Sequence, residues 1–139
     1  MFSRVLLNKN SYSSLIVKSK SVNNAFHSAF RQNKLYLAKW LIKSKPQINS
    51  KILFYDACKT GNLKLCIFLC QLNNNIQDFS LNNNGAFNIA CTNGHINVCK
   101  YLYSINPSII QVTYDTHYYQ RINERGHIHI INWLNSIGH

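Results

Sequence analysis

The sequence predicts an all-α solenoid of about four stacked helix-turn-helix units, preceded by a poorly defined N-terminal segment over residues 1–23. Three observations predict it. The stretch Ala86 to Leu102 holds two short helical patterns that meet at Asn93-Gly94. That stretch recurs three more times, at offsets of 28, 33 and 32 residues along the chain. Set beneath one another, the four copies agree column by column, and a helix-turn-helix unit at a period near 33 is the signature of a repeat array.

The third copy is the clearest. Ala86, Phe87, Ala90 and Cys91 follow the i, i+1, i+4, i+5 spacing of a helix with one buried face. Gly94 breaks the pattern, because glycine tolerates the left-handed backbone that ends a helix. Ile96, Val98, Cys99, Tyr101 and Leu102 then form a second apolar stripe, with Asn97 and Lys100 on the polar side. Helices this short do not stand alone, since nucleation is costly, so the unit must stack.

In chain order, the first pair is predicted near residues 24–32 and 35–44, with Lys45-Pro46 as its stop. The second falls near 52–60 and 63–72, the third near 86–93 and 96–104, and the fourth near 117–125 and 128–136. As repeat units these are about 24–51, 52–84, 85–116 and 117–139, one domain of residues 24–139. The second helix contributes four columns: Leu35/Leu63/Ile96/Ile128, Leu37/Leu65/Val98/Ile130, Trp40/Phe68/Tyr101/Trp133 and Leu41/Leu69/Leu102/Leu134. Ile48, Ile76 and Ile109 each follow the last column by seven residues and are expected to anchor the loops. Asn73 to Gly85 reads as a projecting, Asn-rich turn. Two departures bear on the ends of the array: Asn33-Lys34 replaces the Gly-Asn or Gly-His of other turns, and Ile122 stands in a small-Ala column.

The run Ala-Phe-x-x-Ala-Cys-x-x-Gly-His-Ile-x-Val-Cys-Lys resembles the ankyrin repeat. It is most like the diverged repeats of giant DNA viruses of amoebae (mimivirus-like), through the Leu-Tyr-Ser-Ile-x-Pro ending at Leu102 to Pro107 and the Ala-Phe in place of Thr-Pro-Leu-His. The resemblance covers about residues 24–136. It implies a fold that binds through loop tips and exposed first-helix positions on a concave face. In this sequence those positions are His27, Ser28, Arg31, Gln32, Tyr55, Asp56, Lys59, Asn88, Ile89, Thr92, Gln120, Arg121 and Glu124.

Charge is unevenly placed. The formal net is +11, and residues 1–64 hold twelve Lys/Arg against Asp56 alone, while the remainder is neutral. Such asymmetry suggests either a solubility device or an anionic partner for the first half. No run of 18 apolar residues exists to span a membrane. Five cysteines, an odd number set in packing columns (Cys58/Cys91 and Cys66/Cys99), point to free thiols in a reducing compartment, the host cytoplasm for a viral protein. Residues 1–23 read either as a worn upstream helix or as a mitochondrial presequence, being basic and acid-free.

The search for chemistry is short. Cys91, His95 and Cys99 have metal-like spacing, but Gly94 divides them between two helices. His95 and His127 follow the turn glycines, where the resemblance implies polar caps for the second helices. In Cys66-x-x-x-Cys70 only Cys66 falls in a core column, and His127-x-His129 has no third ligand nearby. Carboxylates at 56, 78, 115 and 124 pair on no element, and phosphate loops and nucleophile elbows are missing. The sequence therefore implies no enzyme, no cofactor and no metal. Two functions remain. One is a protein-protein interaction module, with a host protein among the candidate targets. The other is weak binding of nucleic acid or an anionic surface through residues 1–64. The second lacks interleaved exposed aromatics, because Phe30, Trp40 and Phe54 are expected in the core.

Overall fold

A computed structural model describes residues 21–45, 48–72, 83–112 and 116–138. Among the described residues there are eight α-helices, one 3₁₀ helix and no strand. The chain divides into two compact units, Met1–Ser50 and Lys51–His139.

In the first unit, α1 (Val22–Arg31) packs on α2 (Leu35–Ser44). Ser21 starts α1 by accepting the Asn24 amide at 3.1 Å, so the helix begins two residues ahead of the expected start near 24. Ala25, Phe26, Ala29 and Phe30 are buried on α1, and Leu37, Ala38 and Leu41 on α2. Asn33 stands in the left-handed region, φ 59°. Lys34 N–H then reaches back to the Ala29 carbonyl at 2.8 Å, and Asn33 N–H to Phe30 at 3.0 Å. These are the two bonds of a Schellman ending, so Asn33 performs the turn that glycine performs elsewhere.

The second unit holds three helix pairs: α3 (Ser50–Thr60) and α4 (Leu63–Leu72), α5 (Asn83–Thr92) and α6 (Ile96–Ile105), α7 (Thr116–Glu124) and α8 (Ile128–Ile137). Gly61, Gly94 and Gly126 turn them at φ 77°, 79° and 78°. Each turn closes with the same long-reach bond, Asn62 to Ala57, His95 to Ala90 and His127 to Ile122, at 2.9, 2.9 and 3.1 Å. Ile122 is completely buried in the column otherwise held by alanine, and the turn keeps its geometry. First helices pack on first helices (α5 on α7), and second on second (α4 on α6). Trp133 fixes the last pair against the one before it, 6.3 Å from the Phe87 ring and edge-on to Tyr103 at 5.9 Å. This is a helical solenoid built one neighbour at a time.

Some expectations change. The Leu35/Leu63/Ile96/Ile128 column is not core: Leu35 and Ile128 are exposed, and Leu63 and Ile96 half-buried. These residues open the second helix, and the buried positions two, three and six residues further on centre about a third of a turn away round the cylinder. Cys70, expected outside the core columns, is buried. Pro107 does more than stop α6, since it begins a 3₁₀ helix, Pro107–Val112, that packs on both α5 and α6. Ile48 and Ile109 are buried as loop anchors. Ile76 and most of the Asn73 to Gly85 stretch lie outside the described residues, though α5 already begins at Asn83. The two readings of residues 1–23 also fall outside them, except for residues 21–23.

Candidate interaction surface

The solvent-facing side of each first helix follows from which side is buried. On α1, Arg31 and Gln32 are exposed and His27 and Ser28 half-buried. Gln32 donates to Ser28 Oγ at 3.0 Å, and the His27 ring meets Phe26 edge-on at 5.6 Å. On α3, Tyr55, Asp56 and Lys59 are exposed, with Ile52 exposed one turn earlier. The Tyr55 ring lies beside Gly85 at the head of α5, where a Cβ would come within 3.9 Å of it. On α7, Gln120, Arg121 and Glu124 are exposed, and Gln120 donates to Glu124 at 3.0 Å. On α5 the expectation fails at two of three residues. Ile89 is half-buried, but Asn88 and Thr92 are buried between neighbouring pairs. Thr92 Oγ1 turns inward onto its own helix and donates to the Asn88 carbonyl at 2.9 Å, which lets a hydroxyl pack where its neighbours exclude water. Eleven of the thirteen positions therefore keep solvent access. They sit on the first helices of both units.

The turn edge carries a network that sequence reasoning assigned differently. His95 and His127 do not cap their helices; neither side chain makes a cap bond. Asn62 does, accepting the Leu65 amide at 3.1 Å. The longer imidazoles reach back to the preceding repeat instead. His95 Nε2 donates to the Lys59 carbonyl at 3.0 Å, beside Asn93, which donates to the same oxygen at 3.1 Å. Arg125 continues the line, donating to Asn93 Oδ1 at 2.7 Å, and His129 Nε2 donates to the Gly94 carbonyl at 3.1 Å. The polar column before and after the turn glycine (Asn93 and Arg125, His95 and His127) held this signal, because it repeats at the array's own period. Burial, together with the nearby charges of His129, Arg125 and His95, lowers the His127 pKa below the ordinary histidine value.

The thiols are interior. Cys58 faces Cys66 with sulfurs 3.8 Å apart, and Cys91 faces Cys99 at 3.2 Å; all five cysteines are free and buried. The hydrogen bond to the partner thiol and burial push Cys58 and Cys91 far above the usual thiol range, and burial pushes Cys70 up to about 11. Such thiols are packing groups. His95 points to Lys59 rather than to Cys91 and Cys99, and among the described residues no three metal-ligating side chains converge.

One premise about the basic half changes. Trp40 is half-buried, with Lys45 Nζ over its ring at 5.5 Å, and Tyr36 is exposed. Aromatic rings thus stand among the lysines of α2. Among the described residues no helix is long and apolar enough to cross a membrane.

Comparison with known proteins agrees with this geometry. A family model described as ankyrin repeats (three copies) matches residues 26–113. No curated protein matches, and no solved structure does.

Proposed function

The chain belongs to the ankyrin-repeat family, and we propose that it is a non-catalytic protein-interaction module that binds through the exposed positions of its first helices. The observation that supports this is a division of labour within each repeat. Buried columns and the left-handed turn hold the fold, so Tyr55, Asp56, Lys59, Gln120, Arg121 and Glu124 are left with no structural duty in the interior. That set mixes an aromatic ring, both signs of charge and an amide, a composition suited to a protein surface. The partner we favour is a host protein met in the cytoplasm. The repeat style of giant DNA viruses, at Leu102 to Pro107 and Ala86-Phe87, supports that choice, and the buried free thiols suit a reducing compartment.

The test is affinity capture with the full chain as bait, comparing wild type with Tyr55→Ala and with Arg121→Ala. A partner retained by wild type and lost from both variants supports the reading. Retention by both variants with unchanged affinity overturns it.

A second reading, weak nucleic-acid or anionic-surface binding through residues 1–64, draws on their net charge of +11. Duplex DNA titrated against wild type and a Lys34→Gln, Lys39→Gln, Lys43→Gln, Lys45→Gln variant separates the two. Sub-micromolar affinity at about 0.15 M salt, lost in that variant, ranks this reading first, whereas weak binding leaves the protein-partner reading in place.

A further inference from the structure

We infer that the outer face of α2 is a second docking surface, distinct from the first-helix positions, for an acidic segment of a partner protein that carries an apolar anchor. The inference rests on the proposed interaction role and adds to it the chemistry of one ligand. It begins with charge. Residues 1–50 contain nine Lys/Arg and no Asp or Glu. An acid-free unit cannot neutralise its own lysines, and its complement is a carboxylate-rich surface.

The helix then places those charges. Leu37, Ala38 and Leu41 face the interior of the pair. Tyr36, Lys39 and Lys43, spaced i, i+3 and i+7, fall on the opposite side as one solvent-exposed stripe. Tyr36 is 47 % exposed and Leu35, beside it, 38 %. Lys34 is exposed at the N-cap of the helix, and Lys45 at its foot lies over Trp40. An amphipathic ring bracketed by ammonium groups is the arrangement that anchors an apolar side chain while its flanking carboxylates pair with lysine.

The same details argue for a protein segment over a nucleic acid. Single-stranded nucleic acids are held by successive stackable rings along a basic groove. Here the Trp40 face is taken by Lys45, which leaves Tyr36 as the one exposed ring on α2. The exposed leucine adds nothing to phosphate or base recognition and suits an aliphatic anchor.

The experiment titrates the full chain against three labelled probes followed by fluorescence anisotropy: a twelve-residue peptide of glutamates with one central leucine, the same peptide with glutamine for glutamate, and a twelve-nucleotide oligothymidylate. The expected result is binding of the acidic peptide, none of the neutral one, and weaker binding of the oligonucleotide. Lys39→Gln with Lys43→Gln weakens the acidic peptide about tenfold, and Tyr36→Ala weakens it further with the melting temperature unchanged. Tighter binding of the oligonucleotide, or acidic-peptide binding indifferent to all three substitutions, overturns the inference. Peptide binding lost instead in Tyr55→Ala or Arg121→Ala overturns it while leaving the first-helix reading standing. Loss of cellular partners in those two variants with peptide binding intact leaves both surfaces in place.

Discussion

Gly94 and Gly126 occupy the same position in successive repeats, with φ 79° and 78°, and their surroundings differ completely. A Cβ built on Gly94 would fall 2.5 Å from Nδ1 and 2.6 Å from Cε1 of His127, whereas one on Gly126 would meet nothing within 4 Å. Gly61 resembles Gly94, with the His95 ring over it. Asn33 forms a fourth turn at φ 59° with a side chain in place. Two separate demands are therefore stacked on one residue type. The left-handed backbone is required at every turn, and asparagine meets it. The missing side chain is required only where a histidine of the following repeat lies across the turn. A turn glycine in this array is thus partly a property of the next repeat, as expected of a structure made from neighbour interfaces.

The interior sets the scale for testing that separation. Leu69 is 1 % exposed at the centre of an all-leucine column. Leu69→Ala is expected to cost roughly 2–5 kcal/mol in urea unfolding. A loss under about 1 kcal/mol means the column is not where the repeats are held together, and the turns then carry more of the stability.

The turn substitutions come next. Gly126→Ala meets only the left-handed backbone penalty, about 1–2 kcal/mol. Gly94→Ala adds displacement of the His127 ring and is expected to exceed it by about 1 kcal/mol, in the range of overpacking costs. Equal losses at the two sites would dissolve the comparison. Adding His127→Ala to Gly94→Ala sharpens it, because the excess at Gly94 should disappear in the double variant while the backbone penalty remains.

Most of this architecture was legible in the chain. The period, the helix pairs and the loop anchors Ile48 and Ile109 were written in apolar spacing, which responds to burial, the largest force in folding. What stayed hidden depended on side-chain direction. Nothing in the spacing says that Thr92 turns its hydroxyl onto the Asn88 carbonyl and leaves the surface. Asn62 caps its helix by accepting an amide proton, while His95, one repeat later in the same column, has a longer side chain that reaches back and donates to the Lys59 carbonyl. Likewise Trp40 counted as a core residue by its column. Its position lies at the edge of the buried arc of α2, so the ring ends half-buried under Lys45.

A smaller effect tests whether the histidines belong to the interface. The His127 pKa is lowered in the folded chain, by burial first and then by the charges of His129, Arg125 and His95. The folded state then binds this proton less readily than the unfolded state does. Stability contributed by neutral His127 is complete above the ordinary value of 6.5 and is lost as pH falls through it towards the folded value. Unfolding measured at pH 7.5 and 5.5 should show weakening at the lower pH, reduced in His127→Gln. An unchanged pH dependence in that variant would remove His127 from the turn network.

The smallest effect separates the two demands most cleanly. Asn33→Gly places the residue found at the other three turns into the one turn that lacks it. Glycine relieves the modest strain of a side chain at φ 59°, which favours the folded state. It also frees the unfolded chain, which disfavours folding by about 0.4–1 kcal/mol. Asparagine is one of the few residues whose short polar side chain tolerates this region, so the strain relieved is small and the two terms nearly cancel. The expected change in stability lies within about 0.5 kcal/mol of zero, against a clear loss for Asn33→Val, whose branched side chain does not accept positive φ. If Asn33→Gly instead destabilises by more than about 1 kcal/mol, beyond what backbone freedom explains, the asparagine side chain holds something in the first unit that the turn geometry does not reveal, and glycine and asparagine are not equivalent solutions to one problem.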